Sequence, residues 1–232
     1  MQAKKHSLHY ITQQAVKALR AGGTIVFPTE TSYGLGADAT SRKAVEKMAA
    51  VKQQPEAKEI SVIISSLKQI EKYWIVTKET KKLVEKFFPG PLTLVARKKK
   101  NKLNWLGRKT IAFRVSSNKI AFEICRRFGK PITATSANIH GKPAIYSGKK
   151  VIKEFAGKAA LIIDAGNLKK RKASTLFDVE GREVLRNGKI KEKEILKVLS
   201  EHTKKNGKIK RKTKMETKKN ELLALGIEST AL

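Results

Sequence analysis

Three short loops concentrate the side chains that could bind a small polar ligand. The first, PTETSYGLG, follows the apolar run TIVF; the second, TSANIHGKPA, follows PITA; the third, KAST, precedes LFDV. Hydroxyl groups, amides and exposed backbone N–H groups at strand ends suit anionic or zwitterionic small ligands. Lys52, Lys58 and Arg114 could add positive charge to such a site. Each loop alone is consistent with ordinary turns, so the signal depends on all three together.

Two common nucleotide-binding motifs do not explain these loops. The stretch GLGADA, from Gly34 to Ala39, fits the degenerate pattern G-x-G-x-x-A. That pattern requires its first glycine directly after the strand, whereas residues 28–33 intervene here. The sequence contains no G-x-x-x-x-G-K-[ST], which excludes a P-loop. We therefore expect neither a dinucleotide fold nor a P-loop enzyme.

The residues that usually bind metals show no suitable spacing. The chain has one cysteine, Cys125, in the apolar stretch AFEICRRF, and we interpret it as a small packed residue. Its four histidines are scattered, at positions 6, 9, 140 and 202. We expect no protein-bound metal. A single cysteine also fits a reducing compartment, so the expected location is the cytoplasm.

The predicted elements that position these loops are helices and strands in irregular order. Helical periodicity covers SLHYITQQAVKALRAGG, with Ser7 as its N-cap, and RKAVEKMAAVK, with Ser41 as its N-cap. KETKKLVEKFF, NKIAFEICRRF (ended by Gly129) and KEKEILKVLS also favour helices. Strands are predicted at TIVF, ISVIIS, LTLVARK, TIAFRV, PITA, ALIID, STLFDV and EVLRN. This order predicts one α/β domain with a mixed sheet.

Charge is the unusual feature of the composition. The 232 residues include 51 Lys and Arg against 20 Asp and Glu, a formal net charge of +31. Such a surface attracts polyanions, and RNA is a possible partner. No apolar run is long enough to cross a membrane and no signal peptide is evident, so no membrane association is expected. After residue 200 the chain is lysine-rich with few large apolar residues, and residues 201–232 are predicted to be a disordered tail.

Five motifs, taken in order, resemble one known family. They are FPTETSYGLG, VKQQPEAKEISVIISS, FFPGPLTLVARKK, TIAFRVSSNKIA and PITATSANIHGKPA. The series resembles the YrdC-like family of threonylcarbamoyl-adenylate synthases, the TsaC type, over about residues 8–190. The resemblance implies a single YrdC-like domain over residues 1–200, with a twisted mixed β-sheet flanked by helices and a basic concave face.

The resemblance also implies a reaction and a set of substrates. Family members combine L-threonine, bicarbonate and ATP into threonylcarbamoyl-AMP and pyrophosphate. A TsaD-type transferase then modifies N6 of adenosine 37 in tRNA. ATP is therefore expected as a substrate, with Mg²⁺ carried by the nucleotide.

Site residues follow from the matching motif positions. The resemblance implies that L-threonine is bound by Thr31, Arg114, Ala134 and Ser174. It implies that ATP is bound by Lys52, Gln54, Lys58, Thr110, Ser136, Asn138, Ala144 and Arg186. Lys52 and Arg186 are the residues expected to stabilise charge during catalysis.

Two departures from the family pattern bear on activity. Gln54 stands where the family has an arginine in its K-x-R motif, and Lys58 could replace that charge in part. Ile63 stands where two-domain relatives carry a histidine. One alternative is therefore a weakened YrdC-like protein that binds RNA. Another is a carbamoyl-adenylate-handling domain of the hydrogenase-maturation type, although the cysteine set that usually accompanies it is missing.

The final residues give a second resemblance. LALGIESTA, within residues 223–231, is similar to the opening strand of the TsaD-type transferase. A fusion remnant and a chance match both remain open explanations of this segment.

Overall fold

The computed structural model describes residues 1–54, 60–107 and 109–201. Lys58 and residues 202–232, which form nearly all of the predicted tail, lie outside the described residues. The predicted disorder and the transferase-like segment therefore stay predictions.

Seven α-helices are described, and the predicted N-caps are confirmed. Ser7 Oγ accepts a hydrogen bond from Tyr10 N at 3.2 Å, and Ser41 Oγ accepts one from Ala44 N at 3.3 Å. Gly129 ends its helix in the left-handed region, at a φ of 74°, as expected for a glycine C-cap. The helices are α1 Leu8–Arg20, α2 Arg42–Lys52, α3 Leu67–Tyr73, α4 Lys78–Phe87, α5 Lys119–Phe128, α6 Gly148–Phe155 and α7 Glu192–Ser200. A short 3-10 helix covers Ala3–Lys5.

The strands of the described residues form two mixed sheets, so the predicted α/β class is confirmed, with two sheets instead of one. The strands are β1 Ile25–Pro28, β2 Tyr33–Gly36, β3 Val62–Ile63, β4 Leu92–Arg97, β5 Thr110–Arg114, β6 Ile132–Thr133, β7 Thr135–Ser136, β8 Leu161–Ile162, β9 Thr175–Asp178 and β10 Glu183–Arg186. The four-stranded sheet has the order β7-β2-β1-β8 and the six-stranded sheet β10-β9-β4-β5-β3-β6. Parallel pairs are β1 with β8, β3 with β5 and β4 with β9.

Two strands lie where the sequence predicts loops. Tyr33–Gly36 pairs with β1 as a hairpin, and Thr135–Ser136 pairs in turn with β2. Glycine gives no strand signal, but a Cβ at Gly36 would come within 2.7 Å of the Phe27 ring and 2.9 Å of Thr133 O. The glycine is therefore required by this close approach, which residue-type preferences cannot reveal.

The six-stranded sheet has one face in the main hydrophobic core and a second face outside that core, which we call the open face, although Thr93, Val95 and Arg114 on it are buried. Leu94, Ala96, Ile111, Phe113 and Phe177 alternate onto the side that packs in the main hydrophobic core. Because neighbouring residues in a strand point to opposite faces, the residues between them share the other side. These residues are Thr93, Val95 and Arg97 on β4, Thr110, Ala112 and Arg114 on β5, and Leu176 on β9. This open face carries several of the predicted site residues.

A second core lies under β1 and joins α1 to α5. It includes Leu19, Phe27, Ile63 and Cys125. Cys125 is fully buried, which agrees with its interpretation as a packed residue. Within the described ranges, no helix is long and apolar enough to span a membrane.

Candidate active site

Strand register places two predicted arginines in one transverse row of the open face. Arg186 pairs with Leu176, and Leu176 pairs with Thr93. Continuing the β4–β5 register by one residue sets Thr93 opposite Arg114. Arg114 then pairs with Ile63 on β3. Predicted positions more than 70 residues apart in sequence therefore meet at one end of the sheet.

Arg114 is held by a carboxylate that the sequence analysis did not single out. Its Nη1 donates a hydrogen bond to Glu30 Oε1, and the Ser116 hydroxyl donates to Glu30 Oε2. The Arg114 and Glu30 side chains are only 8% and 6% exposed. A buried guanidinium needs such a partner, because an unpaired buried charge is costly. Glu30 therefore fixes the direction in which Arg114 points.

The loop that carries Glu30 is organised around Thr29. The Thr29 and Thr31 hydroxyls are hydrogen-bonded at 3.0 Å, and Thr29 Oγ1 donates to Ser32 O at 2.7 Å. The same oxygen accepts the backbone N–H of Thr31 at 3.2 Å. Thr31 is half-buried, next in sequence to the carboxylate that binds Arg114. The predicted Thr31 and Arg114 are thus brought together.

Ser174 and Arg186 form the other side of this row. Arg186 Nη2 donates to Ser174 Oγ and to Ser174 O, both at 3.1 Å. The Ser174 and Thr93 hydroxyls are hydrogen-bonded at 2.7 Å. Desolvation, and next the positive charge of Arg114, lower the pKa of Arg186 from its ordinary value. Two cations so placed favour an anion between them. We call Glu30, Arg114, Ser174 and Arg186 the arginine cluster.

The second group, called the lysine cluster, contains Lys52, Ser136 and Asn138. Lys52 is the last residue of α2 and is 4% exposed. Its Nζ donates to Ser136 O at 2.6 Å, Asn138 O at 3.1 Å and Asn138 Oδ1 at 3.2 Å. The Ser136 hydroxyl also donates to Asn138 Oδ1. The predicted K…S-x-N set is therefore one hydrogen-bonded unit.

The two clusters are joined through β2. Gly34 pairs with Ser136, and Ala137 N donates to Tyr33 O at 2.8 Å. Tyr33 follows the Thr29–Ser32 loop directly. The residues that hold Arg114 and those that hold Lys52 thus meet along one short strand.

The remaining predicted positions surround these clusters. Ala134 N donates to Ser61 O at 2.8 Å, and Ser61 Oγ donates to Ala134 O at 2.9 Å. Ala144 is half-buried beside Ile145, whose carbonyl accepts from Tyr33 N at 3.1 Å. Ala134 and Ala144 therefore flank the loops that carry the two clusters.

Thr110 lies farther along its strand from the arginine cluster, and Gln54 lies two residues after Lys52 in the chain. Thr110 shares the open face with Arg114 but lies four residues away along β5, about 13 Å in an extended strand, where it pairs with Arg97. Gln54 follows α2, and its backbone N–H donates to Ala49 O at 2.9 Å.

Sequence reasoning missed three residues of the site, which are Glu30, Thr93 and Ser116. Glu30 lies inside the quoted loop PTETSYGLG, and a lone carboxylate between two threonines beside a predicted arginine could have suggested an ion pair. Thr93 and Ser116 carried no local signal, because only strand register brings them here. In the described part of the chain, no group of three or more His, Cys, Asp or Glu side chains is arranged to hold a metal ion.

Comparison with known proteins decides the family. The sequence signature of Sua5, YciO and YrdC proteins, described as "Telomere recombination", matches residues 17–188. The chain belongs to the Sua5/YciO/YrdC family. The match includes both clusters and all the predicted site residues.

Members of the Sua5/YciO/YrdC family resemble the chain in sequence and in structure. Over 181 residues it is 33% identical to the threonylcarbamoyl-AMP synthase of Vibrio cholerae, covering 76% of this chain and 96% of that protein. It is 36% identical to the Pyrococcus abyssi threonylcarbamoyl-AMP synthase, covering 79% of this chain but 55% of the relative. The crystal structure of P. abyssi Sua5 complexed with L-threonine superposes with a TM-score of 0.77 at 35% identity, over 84% of this chain and 58% of that one.

A structure of a smaller family member gives a similar result. Escherichia coli YciO superposes with a TM-score of 0.71 at 28% identity, over 80% of this chain and 93% of YciO. The chain thus spans nearly all of the single-domain relatives and little more than half of the P. abyssi protein.

Proposed function

We propose that the chain is a threonylcarbamoyl-AMP synthase, which condenses L-threonine, bicarbonate and ATP into threonylcarbamoyl-AMP and pyrophosphate. The relatives that carry this name support the proposal. The structural observation that carries it is the pairing of an arginine cluster with a lysine cluster on loops joined by β2. An amino acid carries a carboxylate and a nucleotide carries phosphates, and each cluster offers cations and hydroxyl groups to one of them.

L-threonine would bind at the arginine cluster. Its carboxylate would take a two-pronged interaction from Arg114, whose planar guanidinium suits that geometry. Thr31 and Ser174 place hydroxyl groups beside this point, and Ala134 is assigned to the amino acid by its motif position. The bound L-threonine of P. abyssi Sua5 supports threonine as the amino acid here.

ATP would bind at the lysine cluster, with Mg²⁺ carried on its phosphates. Lys52 is buried and points at the Ser136–Asn138 loop, which is within reach of Ala144 along the chain. A phosphate oxygen could replace one of the carbonyl acceptors of Lys52. Gln54, Lys58 and Thr110 are assigned to the nucleotide by their motif positions.

The reaction would proceed through a carbamate. The threonine amino group attacks bicarbonate carbon and releases water, which leaves an N-carboxylate anion. One carbamate oxygen then forms a bond to the α-phosphorus of ATP while the bond from that phosphorus to the bridging oxygen breaks. The electron pair leaves with pyrophosphate. Because the nucleophile is already anionic, catalysis depends on positioning and on cations that stabilise the developing charge, and Lys52 and Arg186 are suited to both.

The product is a mixed anhydride that water hydrolyses readily, so a transferase must consume it. We assign that role to a TsaD-type enzyme acting on tRNA in the cytoplasm. Direct contact with RNA is consistent with the net charge of +31. A pure RNA-binding role is less favoured, because such a role would not require the buried Glu30–Arg114 pair.

The proposal is tested by pyrophosphate release from the purified protein with ATP and Mg²⁺. Release should require both L-threonine and bicarbonate, and should yield threonylcarbamoyl-AMP by mass spectrometry. D-threonine serves as a matched control, because it has the same charges with the opposite chirality. Pyrophosphate release that is unchanged without L-threonine would contradict the proposal.

A further inference from the structure

One strongly basic segment next to the site carries four cations that have been given no role so far. Residues 165–174, which we call the basic strap, form no helix or strand. The strap contains four consecutive cations, Lys169, Lys170, Arg171 and Lys172, and all four are exposed. Resting on the synthase function, we propose that the basic strap binds the β- and γ-phosphates of ATP and the pyrophosphate that leaves.

The anchors of the strap place it across the site. At its start, Ala165 N donates to the Tyr33 hydroxyl at 2.9 Å. Leu168 N then donates to Tyr146 O at 2.8 Å, two residues after Ala144 in sequence. At its end, Ser174 binds Arg186 and Thr93 in the arginine cluster. The four cations therefore lie on the segment that leads from the nucleotide side to the amino-acid side.

The four cations are available to a ligand. Among the described residues, no carboxylate lies within ion-pair distance of residues 169–172. Their backbone groups also make no hydrogen bond within the described ranges. The segment is fixed at both ends, and its charged middle is not committed to other parts of the fold.

The chemistry favours a polyphosphate over the other charged ligands of the reaction. Threonine and bicarbonate each offer a single anionic group, which Arg114 and its neighbours can bind. Pyrophosphate concentrates several negative charges in a small volume, and exposed lysines contribute little singly but add up on such a ligand. Arg186 lies at the same end of the strap, because both its Nε and Nη2 donate to Ser174 O.

The experiment measures binding of inorganic pyrophosphate and of ATP by calorimetry, without threonine or bicarbonate. The strap variant is K169Q/K170Q/R171Q/K172Q. The matched control, K99Q/K100Q/K102Q/K109Q, removes the same charge from exposed lysines around the β4–β5 turn. We expect the strap variant to raise the Kd of pyrophosphate about tenfold at low salt, and the control to raise it less than about twofold. The difference should shrink in high salt.

Two outcomes would overturn the proposal. Equal loss of pyrophosphate binding in both variants would mean that overall charge alone is responsible. Unchanged pyrophosphate binding with weaker binding of labelled tRNA by the strap variant would make the segment an RNA-binding surface instead. Binding is measured without turnover, so this test is independent of the synthase assay. If the wild-type protein shows no synthase activity but the strap variant still loses pyrophosphate binding, the proposed function is wrong and this inference stands.

Discussion

The two clusters of the site hold their buried cations by different means. In the arginine cluster, Arg114 contacts a carboxylate, so charge is matched to charge. In the lysine cluster, the acceptors described for Lys52 Nζ are two backbone carbonyl oxygens and one side-chain amide oxygen. Removing one partner of a buried ion pair costs about 3 to 5 kcal/mol, whereas a hydrogen bond from a charged group contributes about 1.5 to 3 kcal/mol. The comparison predicts that Glu30 matters to folding and to threonine binding, and that Lys52 matters to folding and to the chemical step.

The largest effect should come from Lys52→Ala. Removing this cation should lower the rate of pyrophosphate release about 100- to 1,000-fold, as expected for the loss of one charge that stabilises the transition state. The oxygens of Ser136 and Asn138 would lose this donor, so thermal stability should fall as well, and activity is compared at a temperature at which both proteins are folded. Lys47→Ala, on the exposed side of the same helix, is the control and should keep its activity. Equal activity of Lys52→Ala and wild type would remove Lys52 from the catalytic role.

Glu30→Gln should break the arginine cluster while leaving the lysine cluster intact. The substitution leaves a buried guanidinium without its counter-charge, so the free energy of unfolding should fall by about 3 kcal/mol. Arg114 would also lose its fixed direction, so KM for L-threonine should rise more than KM for ATP. Urea unfolding and separate titrations of the two substrates measure both effects.

Glu180→Gln is the matched control for that experiment. The Arg97–Glu180 pair is 56% and 47% exposed, and a pair of this kind contributes about 0.5 kcal/mol. A Glu30 variant as stable as the Glu180 variant would show that the buried ion pair contributes no more to folding than an exposed one.

A pair of glycine substitutions should give a smaller effect. A Cβ at Gly188 would overlap backbone atoms of Ala173, Ser174 and Thr175, so Gly188→Ala should displace Ser174 and cost about 2 kcal/mol. Gly141, in the loop of the lysine cluster, has a φ of +79° and open space around it, so Gly141→Ala should cost about 1 kcal/mol. Only Gly188→Ala should raise KM for L-threonine. The same rise in both variants would argue against separate clusters.

The thiol of Cys125 should react slowly with disulfide reagents in the folded protein. Burial raises the pKa of this thiol to about 12, so the reactive thiolate is nearly absent at pH 8. In the unfolded chain the thiol has its ordinary pKa. As the pH rises above about 8.5, the thiol of the unfolded chain loses its proton while the thiol of the folded protein keeps it. The free energy of unfolding therefore falls in that pH range. A disulfide reagent should modify the folded protein about 1,000-fold more slowly than the unfolded protein.

Cys125 also reports on one cluster. Its Sγ donates to Ile63 O at 3.3 Å, and Ile63 pairs with Arg114. Glu30→Gln should therefore speed its modification, whereas Lys52→Ala should not. A faster reaction in both variants would mean that the thiol reports on general loosening.

The sequence predicted the elements better than their pairing. Ser7, Ser41 and Gly129 act as the helix caps that their types and positions indicate, because capping depends on local groups. The hairpin at Tyr33–Gly36 could not be predicted, because its glycines are fixed by the Phe27 ring across the strand. The division into two sheets follows from long-range register, which local patterns do not contain.

In the site, too, local motifs were predicted from the sequence and contacts between distant strands were not. Lys52, Ser136 and Asn138 were predicted as a set and form one hydrogen-bonded unit. Thr93 and Ser116 were not predicted, since their neighbours come from distant strands. The ligand assigned to each residue remains a prediction.

The hydroxyl of Tyr33 holds the start of the basic strap. It donates to Gly166 O at 2.7 Å and accepts from Ala165 N, and burial raises its pKa to about 12, so it keeps its proton at any working pH. Tyr33 is also the residue that follows the Thr29–Ser32 loop. The threonine loop and the basic strap are therefore both attached to Tyr33, which connects them. A shift of the Tyr33 ring would therefore move both segments together.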